Sequence, residues 1–181
     1  VPFRGEYFIL GAGSKHFVRG LIYPVPDPRF PFLGVHYTKR ITGEIEAGPN
    51  AVLAWAREGY SKTNLNLLET IYNLTFPGFW RMAYKNWRTG VSELHRSYIK
   101  SVFVRDLQRL IPEITSADVE PGGAGVRAQA INNTGELLDD FCILESMRAI
   151  HVLNAPSPGA TSSLAIGKTI TNLAVKNFGL S

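Results

Sequence analysis

Several things are scarce in this chain, and each scarcity removes a class of explanation. One cysteine, Cys142, in 181 residues leaves no intramolecular partner, so no disulfide framework can exist and a reducing compartment is favoured. No apolar run approaches the ~18–20 residues that a membrane-crossing helix needs. Charge is sparse at 19% of residues, with a net +4. The Lys and Arg are dispersed, without the stripe that nucleic-acid binding requires. Four histidines stand far apart with no metal-ligand spacing, so no metal is expected. There is no low-complexity stretch and no internal repeat. The expectation is a cytoplasmic globular protein, at most peripheral to the inner face of a membrane.

Hydrophobic residues make up 45% of the chain. That is enough for one good core and an appendage. The first half reads as short aromatic and β-branched strands: Tyr7 to Leu10, Val18 to Tyr23 and Gly34 to Thr38, punctuated by Gly and Pro. Ile41 to Glu46 reads as a hairpin with Gly43 near its tip. Strands this closely spaced cannot be parallel neighbours. From about Asn64 the period becomes helical, with Leu65, Leu68, Ile71 and Tyr72 on one face. A short helix through Phe79 and Met82 follows, then a long one from Ser92 to about Leu110, ended by Pro112. These helices read as packing elements. Gly122 to Gly125 reads as a Gly-rich turn leading into a strand at Val126 to Ile131. A strand pair then precedes a final helix with Leu164, Ile170, Ala174 and Phe178 on its apolar side. The fold class is therefore α+β: a largely antiparallel, curved sheet with helices packed on one side, plus a C-terminal helix.

Two apparent phosphate-binding motifs fail on inspection. Gly11-Ala12-Gly13 would need a third glycine where His16 stands, and no helix pattern follows it. Gly167-Lys168-Thr169 would need glycine at 162, where Ser162 stands, and it lies inside a helical pattern. The run Asn154 to Gly167 is more informative, because prolines and small residues precede a helix there. Small side chains allow close approach to the backbone, and a helix start offers N–H groups and a positive dipole end to anionic or electron-rich atoms. Ser157, Gly159, Ala160, Thr161, Ser162 and Ser163 are the residues in that position. An ordinary capped helix start explains the same residues.

Arg127 is the leading candidate for chemistry. It sits in a strand between apolar Val126 and Ala128, where a guanidinium needs an acidic partner, because burying it unpaired is prohibitive. That partner is either a ligand or a structural carboxylate such as Glu120 or Asp139. His36 is the candidate base, since an unperturbed imidazole titrates near ~6.5. A strand histidine bonded to backbone is the plainer alternative, and His151 is the rival. Arg4, Tyr60 and Asn50 are weaker candidates that could equally close turns.

Val1 to Tyr7, Leu21 to His36, Gly48 to Ala54 and Ala124 to Ala130, together with the small-residue run, resemble the C-terminal half of the FAD-dependent L-2-hydroxyglutarate oxidase/dehydrogenase family. That family lies within the D-amino-acid-oxidase-like flavoproteins. The resemblance implies a substrate domain over residues 1–150 and a segment completing an FAD-binding domain over 151–181, with the N-terminal dinucleotide-binding unit outside this chain. It implies FAD as cofactor, bound through Ser157 to Ser163, and oxidation of (S)-2-hydroxyglutarate to 2-oxoglutarate with oxygen or a quinone as acceptor. Gly125-Val126-Arg127 matches an arginine that holds the substrate α-carboxylate, and Arg4 or Tyr60 would meet the distal carboxylate. The alternatives are a related flavoenzyme acting on another hydroxy acid or amino acid, and a stand-alone binding module without redox chemistry.

Overall fold

The computed structural model describes residues 1–25, 34–156 and 158–180. It divides into two compact units, 1–137 and 138–181. Part of the Pro-rich stretch from Leu21 to His36, and Ser157, lie outside the described residues.

Unit 1 is built on β1 (Pro2–Leu10). One side of β1 pairs along its length with β6 (Val119–Ala128). The other side pairs with β4 (Ile45–Gly48) at Phe8 and Ile9, and with β5 (Val52–Leu53) at Phe3 and Arg4. β4 and β5 are thus one line of strand, interrupted at Pro49–Ala51. Beyond β4 lie β3 (His36–Lys39) and β2 (Leu21–Ile22). Every named pair is antiparallel, as close spacing demanded. Gly43, at φ +82°, closes the β3–β4 hairpin, a conformation that glycine adopts without steric cost.

Helices cover one face. α1 (Leu67–Thr75) is capped by Asn66, whose side chain accepts the Glu69 N–H. α2 (Pro77–Lys85) starts on proline, whose missing N–H would have no helical partner there. The long helix expected from Ser92 is two helices, α3 (Trp87–Tyr98) and α4 (Lys100–Leu107), separated at Ile99 by extended backbone. Strand alternation decides what faces them. Glu6 accepts from Ser97 Oγ of α3 at 2.6 Å, the Phe8 ring lies 4.8 Å from Phe103 of α4, and Leu10 is in the core. Even-numbered residues of β1 therefore face the helices. Leu10, Tyr37, Ile45, Phe103, Leu107 and Val119 form the centre of that core. The Tyr37 hydroxyl donates to the Leu107 carbonyl at 3.3 Å.

Two local expectations are corrected. Val18 to Tyr23 is mostly not strand: a 3-10 helix occupies Ala12–Phe17 and only Leu21–Ile22 pairs. Gly122 to Gly125 is not a turn but part of β6. Register slips by one residue between Glu6 and Phe8, so Gly122 and Gly123 bulge opposite Tyr7.

Unit 2 contains a hairpin of β7 (Cys142–Glu145) and β8 (Ile150–Asn154), and α5 (Ser163–Phe178). The Asn154 amide donates to Asp140 O at 2.9 Å and that of Asn177 to Ser146 O at 3.1 Å. Both bonds are internal to the unit, and Gly179 ends α5 in the left-handed region.

Candidate functional site

Register sorts the candidate residues by face. Arg127 pairs with Phe3, Val126 with Arg4 and Gly125 with Gly5. Arg127 therefore stands on the face opposite the helices, with Phe3 beside it and Leu53 one strand further on. It is half-buried. Glu120 lies seven residues back along the same strand, about 23 Å at 3.3 Å per residue, and cannot be its partner.

Arg4 stands on the helix face, 5% exposed. Its guanidinium is spent: Nε and Nη2 meet Glu6 at 3.1 and 3.0 Å, and Nη1 donates to Ser61 O at 2.9 Å and Gly59 O at 3.4 Å. Glu6 in turn accepts from Ser97, from Asn50 Nδ2 at 2.8 Å, and faces Lys62 at 3.7 Å. Burial pushes the Glu6 carboxyl up, but the Ser97 and Asn50 hydrogen bonds and the Lys62 and Arg4 charges outweigh it, holding the group below its ordinary value. Asn50 also accepts the Glu6 backbone N–H at 2.8 Å, so it ties the strand interruption to β1. Tyr60, between the two carbonyls that Arg4 grips, is exposed. The structure thus gathers Arg4, Tyr60 and Asn50 into one neighbourhood and places Arg127 on the other side of the sheet. Arg4 and Arg127 do not form one clamp.

His36 pairs with Gly48, and Tyr37 with Ala47. Since Tyr37 faces the core, His36 shares the open face with Arg127. Its Nδ1 lies 2.9 Å from Gly34 O. A carbonyl only accepts, so Nδ1 carries the proton and the neutral ring keeps its Nε2 lone pair. The ring stacks on Tyr23 at 4.2 Å. Three strand spacings and four residues separate its backbone from that of Arg127, about 19 Å. His151 belongs to β8 of unit 2 and is exposed.

At the start of α5, Gly159 N donates to Pro156 O, Ser162 N to Pro158 O and Ser163 N to Ala160 O. Those three N–H groups are used within the turn. Ala160 and Thr161 are exposed just ahead of a 16-residue helix, a setting that fits an electron-rich or anionic edge. Every named strand pair is antiparallel, so the described residues contain no β-α-β unit for the ADP half of a dinucleotide. Among them no group of His, Cys, Asp and Glu could hold a metal ion, and no helix is long and apolar enough to cross a membrane.

Residues 1–173 match the family described as FAD dependent oxidoreductase. The chain belongs to that family. Similar proteins include L-2-hydroxyglutarate dehydrogenase of Indibacter alkaliphilus, 57% identical over 98% of this chain and 45% of that protein. The mitochondrial L-2-hydroxyglutarate dehydrogenase of Caenorhabditis elegans is 49% identical over 99% of this chain and 43% of its own length. L-2-hydroxyglutarate dehydrogenase of Escherichia coli K12 is 46% identical over 94% and 40%. The chain spans under half the length of these relatives. What this stretch of an FAD dependent oxidoreductase supplies is a sheet with one face closed by helices and one face carrying Arg127. Sequence reasoning missed the Arg4–Glu6–Asn50–Ser97 network. The signal available was Arg4-Gly5-Glu6, two opposite charges on one face of a strand.

Proposed function

We propose that this chain is the substrate-side portion of an FAD-dependent oxidoreductase that converts (S)-2-hydroxyglutarate to 2-oxoglutarate. The observation that carries the reading is identity of 46–57% across nearly the whole chain to proteins named for that reaction. Bound FAD would accept the hydride from C2. The residues of this chain bind and orient. Arg127, fixed by its register on β6 beside β1, offers a planar fork to the C1 carboxylate. The open turn at Ala160 and Thr161, backed by the α5 dipole, would meet the cofactor's electron-rich edge, with Gly159, Ser162 and Ser163 shaping the approach. The hydroxyl proton goes to a histidine. His36 has the free Nε2 but stands far from Arg127, and His151 is the other candidate.

The test is anaerobic mixing of the full-length protein with (S)-2-hydroxyglutarate, its (R) isomer, and a panel of other hydroxy acids and amino acids. Loss of the oxidised flavin's visible absorption with the (S) isomer alone is expected. Bleaching by an amino acid and not by 2-hydroxyglutarate would overturn the substrate assignment. For the base, whichever of His36→Ala and His151→Ala slows flavin reduction by roughly 10²–10⁴-fold identifies the group. Unchanged rates in both would place it outside these two residues.

A further inference from the structure

Glycine inside a strand weakens it and packs nothing, so its presence raises the question of what fills the space a side chain would take. Outside the bulge, three glycines of the sheet stand in regular pairs: Gly5 with Gly125, and Gly48 with His36. Two of them are accounted for within the chain. A Cβ on Gly5 would come within 2.8 Å of Pro49 Cβ, and one on Gly48, at φ +148°, within 2.9 Å of Glu6 O. Gly125 is different. Its φ is not positive, and a Cβ built there meets nothing within 4 Å. No neighbour or backbone strain among the described residues requires glycine at that position.

The surroundings of Gly125 say what the space is for. Two residues, about 6.6 Å of strand, separate it from Arg127, so both belong to the open face. Its partner Gly5 is odd-numbered on β1, so the Pro49 ring that packs against Gly5 lies on the open face as well. Pro49 is held there from behind. Asn50 accepts the Glu6 N–H and donates to the Glu6 carboxylate, both at 2.8 Å, and Ala51 N donates to Glu93 Oε2 at 2.9 Å. Bare backbone at 125 is therefore bounded along the strand by a guanidinium and across it by a fixed apolar ring. We propose that Gly125 is a specificity-determining position: the space above it receives the substrate's carbon chain beyond C1, and a side chain there would displace that chain. The two methylenes of 2-hydroxyglutarate suit a floor without side chains and an apolar wall. The inference rests on the reading of Arg127 as the partner of the C1 carboxylate.

The experiment is steady-state kinetics on the full-length protein with Gly125→Ala, Gly125→Val and Gly125→Leu. Because the space is open, each variant should keep the wild-type melting midpoint and flavin content. KM for (S)-2-hydroxyglutarate should rise with side-chain volume, by roughly 10–200-fold in Gly125→Val, while kcat at saturation changes far less. The inhibition constant of 2-oxoglutarate should rise in parallel, since the product fills the same space. Unchanged KM in Gly125→Val, or a fall in kcat at constant KM, would overturn the proposal. Loss of flavin would give the space to the cofactor, and a lowered midpoint in Gly125→Ala would give it to another segment of the longer protein; both overturn it too. Failure of the wild type to oxidise (S)-2-hydroxyglutarate would sink the substrate reading first and this inference with it, a result visible before any variant is made.

Discussion

Arg127 is held by one strand, one register and one face. The hydrogen bonds of β6 to β1 run on both sides of the Phe3–Arg127 pair, so the side chain leaves the sheet in a fixed direction. A planar fork on a rigid strand suits a carboxylate, and lysine keeps the charge without the fork. Truncating one partner of a desolvated charge pair costs roughly 2–5 kcal/mol, and each ~1.4 kcal/mol is tenfold. In the full-length enzyme Arg127→Met should therefore lose at least tenfold in kcat/KM, with Arg127→Lys already impaired and flavin content normal in both. Steady-state kinetics on 2-hydroxyglutarate check it, and wild-type turnover would show that the carboxylate is held elsewhere. Arg127 was legible because its sequence neighbours, Gly125, Val126 and Ala128, are small and apolar. Arg4 looked similar in sequence. Its difference lies in partners 55 and 57 residues away, Gly59 and Ser61, which no local pattern reveals.

At the level of elements, the buried polar network explains how strands with so many glycines keep their shape. Glu6 joins β1 to the strand interruption through Asn50, to α3 through Ser97 and to the loop after β5 through Arg4 and Lys62. Removing its charge leaves the Arg4 guanidinium, 6% exposed, without a counterion, a change that costs about 3–5 kcal/mol in buried pairs. Glu6→Gln should lower the melting midpoint by roughly 6–20 °C, at ~2–4 °C per kcal/mol for a chain of this size. The sign with pH follows from the depressed carboxyl. Its contribution is full above the ordinary carboxylate range and is lost as pH falls through the lower, folded-state value. The gap between wild type and Glu6→Gln should therefore close on acidification. Thermal melts across neutral to acid pH check this, and a gap that widens toward acid would refute it. Strand and helix existence was legible from period and punctuation. What was not legible was orientation. Leu68, Ile71 and Tyr72 make the same stripe whether it faces inward or, as here, outward, and the break at Ile99 has neither Gly nor Pro to announce it.

Across the whole molecule, the described residues provide a sheet with one open face and one helix start, but no parallel pair among the named strands beside which the ADP half of FAD could lie. A ligand as large as FAD must offset ~4–15 kcal/mol of lost translational and rotational freedom before any affinity appears. Here three of the N–H groups before α5 are already bonded within their own turn, and the remaining donors at Ala160 and Thr161 are few. The absence of both glycine motifs was legible in the sequence, since each fails at a single position, His16 and Ser162. The expectation for residues 1–181 expressed alone is a folded, colourless protein. Circular dichroism should show the mixed helix and strand content, and gel filtration after incubation with FAD should elute protein without visible absorption. The longer protein that contains this stretch should elute yellow under the same conditions. Stoichiometric FAD retained by residues 1–181 would mean that the open face of the sheet, which carries Arg127, binds the dinucleotide itself. The carboxylate assignment of Arg127 would then have to be replaced by a phosphate one, a distinction that the Arg127→Met variant would register as loss of flavin instead of loss of turnover.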